Sequence, residues 1–125
     1  MAVTTPEPLS AQGQKLAQRL KPRHLTLLRQ IQVHGSLTQV ATHAGISQPA
    51  ITKALAELED ICGGALFVRS GRGLKPTRLG ELALGKAQHM LRELDNWASE
   101  MQAVRQGRSG RLNIGAVPYV SGALL

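Results

Sequence analysis

The stretch from Gly35 to Lys53, GSLTQVATHAGISQPAITK, constrains the fold of this 125-residue chain more than any other. It holds two helix starts and one helix stop. Ser36 predicts an N-cap, followed at helical spacing by a buried face of Leu37, Val40, Ala41 and Ala44. Gly45 predicts the stop, because glycine takes the left-handed conformation of a helix end without a Cβ penalty. Ile46 is expected to plug the gap between the helices. Ser47 predicts the second cap, and Pro49 falls in the first turn, where a missing N–H costs nothing. Two short helices about a tight turn form the helix-turn-helix pattern, which sets the start of its second helix against base edges in a DNA major groove. Gln48, Ala50, Thr52 and Lys53 are suited to that contact. Glutamine can bond adenine in a bidentate way, lysine reaches guanine or phosphate, and threonine or alanine can touch a thymine methyl.

Charge placement points the same way. The chain has 15 Lys+Arg against 8 Asp+Glu, a formal net charge of +7. No acidic residue lies between Glu7 and Glu57, while Lys15, Arg19, Lys21, Arg23, Arg29 and Lys53 do. Arg69, Arg72, Lys75 and Arg78 form a second basic group. Such clustering suits a polyanionic partner. The aromatic residues Phe67, Trp97 and Tyr119 are too few to build stacking platforms for single strands, which favours a duplex.

Other chemistries find little support. Cys62 stands alone, so neither an intrachain disulfide nor a cysteine zinc site is expected, and its place between Leu58 and Leu66 predicts a small core residue. His24, His34, His43 and His89 lack metal-ligand spacing and read as surface or helix-end residues. Gly80 to Lys86 imitates a P-loop, but Ala87 replaces the Ser or Thr that binds Mg²⁺, and the segment reads as helix. Ser47 has no His and Asp partners in the pattern. No catalytic residue, cofactor or metal site is expected, and the chain does not read as an enzyme. No apolar run is long enough to cross a membrane and the N-terminus lacks a signal peptide, which predicts a cytoplasmic protein.

Four segments follow along the chain. Residues 1–21 form an extension in which Ser10 to Leu20 reads as a short helix or a weakly ordered basic arm. Residues 22–77 form one domain. Leu25, Leu28 and Ile31 recur at helical spacing between Pro22 and Gly35, and the second helix of the pair runs to about Ile61, burying Ile51, Leu55, Leu58 and Cys62 before Gly63-Gly64. Leu66–Arg69 and Leu74–Thr77 then read as a hairpin wing with the tip Ser70-Gly-Arg-Gly73. Glycines at 71 and 73 allow close approach to a phosphate backbone, and Arg72 between them suits the minor groove. A solvated hairpin would show the same residues, and the preceding helix-turn-helix is what favours the wing.

Residues 78–106 predict one long helix capped by Thr77 and spanning roughly 44 Å. Its apolar residues Ala83, Ala87, Met90, Leu94, Trp97, Met101 and Val104 alternate in steps of four and three, the pattern of a coiled-coil seam. So long a stripe exceeds what the small domain can cover. Ala87, Met90, Leu94, Trp97, Met101 and Val104 are therefore expected at a dimer interface. Gly107-Arg-Ser-Gly110 predicts a break, and Arg111–Val117 reads as a buried strand. An isolated strand is unstable, so residues 107–125 are expected to be a hinge and the first strand of a truncated domain.

The order of these elements, and many residues in them, resembles the LysR-type transcriptional regulators. The matching stretches are Gly35–Ala41, Ile46–Lys53, Leu58-Glu59, Leu66–Arg69, Gly71–Thr77 and Gly110–Gly115. The resemblance implies a mainly α fold: a winged helix-turn-helix, a long linker helix that dimerises, and the truncated start of an α/β effector domain. By position, Gln48, Pro49, Thr52 and Lys53 would contact bases, Ser36, Thr38, Ser47, Arg69 and Thr77 would hold phosphates, and Arg72 and Gly73 would form the wing. It further implies double-stranded DNA with an inverted-repeat operator as partner. The homodimer would form through the linker helix, with tetramers only where the effector domain is complete and no small-molecule ligand for a chain without it. Val40 and Cys62 depart from the family's usual alanine and leucine, and the extension before Pro22 is longer than usual. A winged-helix module that binds protein is the rival reading, opposed by the basic wing.

Overall fold

The computed structural model describes residues 5–109. The chain divides into two compact units, residues 1–88 and 89–125. The first holds six elements and the start of a seventh: α1 (Ala11–Arg19), α2 (Pro22–His34), α3 (Leu37–Ala44), α4 (Gln48–Cys62), β1 (Phe67–Ser70) and β2 (Gly73–Pro76). The last helix, α5 (Arg78–Ser109), begins there and supplies the described part of the second unit.

Each helix is punctuated by its own residues. The Ser36 hydroxyl accepts from the Gln39 N–H at 3.2 Å, and the Ser47 hydroxyl from the Ala50 N–H at 3.3 Å. Gly45 has φ 71°, and the Gly45 and Ile46 N–H groups donate back to Thr42 and Ala41, the paired closure of a Schellman turn. Gly63, at φ 86°, closes α4 onto Glu59. The first segment forms a helix: Ser10 caps α1 through the Gly13 N–H at 3.0 Å, and Arg19 pairs with Asp60 of α4 at 2.6 Å.

The core is built from Leu25, Leu28 and Ile31 of α2, Leu37, Val40 and Ala41 of α3, and Ile51, Leu55 and Leu58 of α4, with Leu66 and Phe67 at the wing's entry. Here the structure departs from several expectations. Ile46 does not plug the helix gap: its N–H closes the Schellman turn while its side chain is 51% exposed. Ala44 is exposed too, lying past the buried face of α3. Cys62 is half-buried rather than core, and partial burial, then the Glu59 charge, raises its thiol pKa.

His24 is not a surface residue but is buried among the apolar side chains. Its Nδ1 accepts the Lys21 N–H at 2.9 Å, which leaves Nε2 to carry hydrogen and donate to Glu57 Oε1 at 2.9 Å. The imidazole thus satisfies the start of α2 and ties it to α4, as a buried polar group requires. Helix α5 does not stop at Gln106 but continues through Gly107 to Ser109, since one glycine weakens a helix by only about 1 kcal/mol. The expected strand at Arg111–Val117 lies outside the described residues.

Candidate nucleic-acid interface

Helix α4 has two chemically distinct halves. Its carboxylates, Glu57, Glu59 and Asp60, all lie toward the C-terminal end and all serve structure. Glu57 accepts from His24, Glu59 accepts from the Leu66 and Phe67 N–H groups at 2.7 and 3.4 Å, and Asp60 holds Arg19. The hydrogen bond from His24 holds the Glu57 carboxyl below its ordinary pKa, with Arg23 adding to it against the effect of desolvation. The N-terminal half has no acid. Gln48, Pro49, Thr52 and Lys53 are all exposed there, at the end where the helix dipole favours an anion.

The wing is docked on the α2–α3 corner through its backbone. Strands β1 and β2 pair antiparallel with Ser70 opposite Gly73, so only Gly71 and Arg72 form the tip. The Leu74 N–H donates to the Gly35 carbonyl at 3.2 Å. Gly73, at φ 112°, lies so near that a Cβ there would stand 2.7 Å from the same oxygen. Gly35 immediately precedes Ser36, the cap of α3. One residue into α3 the Thr38 hydroxyl donates to Gln48 Oε1 at 3.1 Å. The wing is thereby bonded to the residue before α3, and the start of α3 to the start of α4. Arg69, Arg72, Lys75 and Arg78 are exposed on the wing and just after it.

The candidate phosphate ligands separate by what their hydroxyls already do. Ser36 and Ser47 accept a backbone N–H and keep their own hydrogen to donate. Thr38 has given its hydrogen to Gln48. Thr77 is a correction: its hydroxyl donates to the Ala65 carbonyl at 2.7 Å and accepts the Gly80 N–H at 3.0 Å. It caps α5 and stitches the wing's base, with no hydrogen left for a phosphate. Gly80 follows from the same packing, since a Cβ there would collide with the Leu66 carbonyl oxygen. That contact accounts for the first glycine of the P-loop imitation.

Within the second unit, Met90, Leu94, Trp97, Met101 and Val104 are each between 41% and 58% exposed. Ala87 does not belong with them. It is buried within the first unit, so the open stripe begins at Met90. Among the described residues no group of three His, Cys, Asp or Glu side chains could hold a metal ion, and no helix is long and apolar enough to cross a membrane.

The roles of Glu57, Glu59 and the Thr38–Gln48 bond were not legible in the sequence. Each joins residues 7 to 33 positions apart, and no local pattern announces them.

Residues 22–81 match the family model described as bacterial regulatory helix-turn-helix protein, lysR family. The small neutral protease regulatory protein of Streptomyces coelicolor is 36% identical over 97 residues, which cover 78% of this chain and 30% of that protein. The chain thus spans under a third of that relative's length. Two solved structures are similar at TM-scores of 0.64 and 0.66. The CbnR DNA-binding domain–DNA complex is 27% identical, with 69% of this chain and 99% of that one covered. The BenM DNA-binding domain/catB site 1 DNA complex is 26% identical, with 71% and 96% covered.

Proposed function

The chain belongs, through residues 22–81, to the lysR family of bacterial regulatory helix-turn-helix proteins, and from that premise we propose that it binds double-stranded DNA sequence-specifically as a dimeric transcriptional regulator. The observation that carries this reading is the exposed, acid-free start of α4, together with an exposed basic wing. The similar CbnR and BenM DNA-binding domains are found in complexes with DNA.

Gln48, Pro49, Thr52 and Lys53 enter the major groove and read base edges. Ser36, Ser47 and Arg69 hold phosphates, and Arg72 at the tip reaches the backbone or minor groove, with Gly73 seating the tip end of the wing against Gly35. Phosphate contacts supply most of the affinity and its salt dependence, while the base contacts supply sequence choice. The apolar stripe from Met90 to Val104 pairs with its copy, and the dimer presents two such faces to an inverted repeat. The protein works in the cytoplasm, where bacterial DNA lies. No catalysis is assigned to it.

The test compares two variants on specific and random duplexes. Lys53→Ala should lose about 1–3 kcal/mol on the specific site and relax its base preference. Arg69→Ala should weaken both duplexes alike and lower the salt slope by about one unit. Equal loss on both duplexes for Lys53→Ala would remove it from base reading.

A further inference from the structure

We propose that Thr38 decides which base Gln48 reads, by holding the glutamine amide with its oxygen toward α3 and its amino group left for the DNA. This rests on the base-reading role proposed above for Gln48. Gln48 is the first residue of α4, Thr38 the second of α3, and both are exposed. The bond between them runs from the threonine hydroxyl to Oε1 at 3.1 Å. The Thr38 carbonyl is engaged separately, accepting the Thr42 hydroxyl at 3.0 Å, which anchors the residue in its helix.

The chemistry of the amide makes the direction of this bond informative. A side-chain amide oxygen only accepts, and its nitrogen only donates two hydrogens. Bidentate pairing with adenine uses both together, the oxygen taking the N6 hydrogen and the nitrogen giving to N7. Thr38 takes one of the oxygen's two lone pairs and draws the oxygen toward α3, so the amino group becomes the end that Gln48 turns to the DNA. Guanine, which presents the two acceptors N7 and O6 in the major groove, fits that group better than adenine. The bond is weak in water, where solvent competes for both partners. It strengthens once DNA excludes that water, so it acts when the base is read. Thr38 is thus a positioning residue acting through Gln48. This narrows the glutamine's expected adenine preference to one for guanine.

The experiment uses the full chain. The preferred duplex is selected from a random pool, and the base pair to which Gln48→Ala becomes indifferent identifies the glutamine's position. Affinities for the four duplexes varied at that pair are then measured by fluorescence anisotropy for wild type, Thr38→Ser and Thr38→Val. Valine keeps the shape and removes the hydrogen, whereas serine keeps the hydrogen. Wild type and Thr38→Ser should favour guanine by about tenfold. Thr38→Val should lose that preference or move to adenine, with its melting temperature essentially unchanged.

A guanine preference that survives in Thr38→Val overturns the inference, as does a wild-type preference for adenine. Uniform weakening of Thr38→Val on every duplex overturns it in favour of a phosphate contact. A wild type for which no base pair answers to Gln48→Ala overturns the base-reading role itself, and this inference with it.

Discussion

Replacing Gly73 with alanine tests how the wing is fixed to its domain. Gly73 has φ 112°, a region that costs a residue with a Cβ about 1–3 kcal/mol. The added carbon would also stand 2.7 Å from the Gly35 carbonyl oxygen, which the neighbouring Leu74 N–H already uses at 3.2 Å. The methyl and that hydrogen bond cannot both be accommodated, and losing the bond costs about 0.5–1.5 kcal/mol. Together these give a destabilisation of about 2–4 kcal/mol. For a domain of this size that lowers the Tm by at least roughly 8 °C. Gly71 is the matched control, two residues away in the tip. Its φ is outside the left-handed region and a Cβ there meets nothing within 4 Å, so Gly71→Ala should change stability by under about 0.5 kcal/mol. Thermal unfolding followed by circular dichroism compares the two. Equal melting temperatures for Gly73→Ala and Gly71→Ala would refute the docking of β2 on Gly35.

Three further outcomes are expected. Because the folded Glu57 carboxyl lies below its unfolded pKa, its stabilising charge is present at neutral pH and lost as pH falls through the folded value. The Tm gap between wild type and Glu57→Gln should therefore narrow in acid, and a gap constant with pH would contradict the charge-assisted bond to His24. Leu58 is fully buried, so Leu58→Ala should cost about 2–5 kcal/mol in denaturant unfolding, and a loss under 1 kcal/mol would mean that the core lies elsewhere. Leu94→Asp places an unpaired charge in the apolar stripe and should yield monomers in sedimentation velocity, whereas a surviving dimer would rule that stripe out as the interface.

Local chemistry carried most of the architecture into the sequence. Ser36, Gly45, Ser47, Pro49 and Gly63 each act through neighbours within a few residues, and each appears in the fold where its type predicts. The hairpin is similarly local, although Gly73 forms part of β2 rather than the tip. What escaped depends on contacts between distant segments. Nothing near His24 shows that Glu57 waits 33 residues on to satisfy its second nitrogen. Ile46 and Ala87 are apolar, but whether they are covered is decided by how whole helices pack: the turn position suggested a plug for Ile46, and periodicity an interface for Ala87, and the fold gives neither. The candidate interface was legible as a set of residue types at the start of α4, which the fold leaves exposed. The bond that orients Gln48, from Thr38, and the bond that docks the wing, from Leu74 to Gly35, exist only once the helices and wing meet.

The central claim is that this face selects a DNA sequence. It is tested most directly by fluorescence anisotropy of the protein on duplex DNA from its gene's own upstream region and on a scrambled duplex of equal length, across a salt series. Tighter binding to the native duplex is expected at every salt concentration, with the preference persisting as overall affinity falls. Equal affinities that vanish together as salt rises would contradict it, and would reduce the start of α4 and the wing to a basic surface without sequence choice.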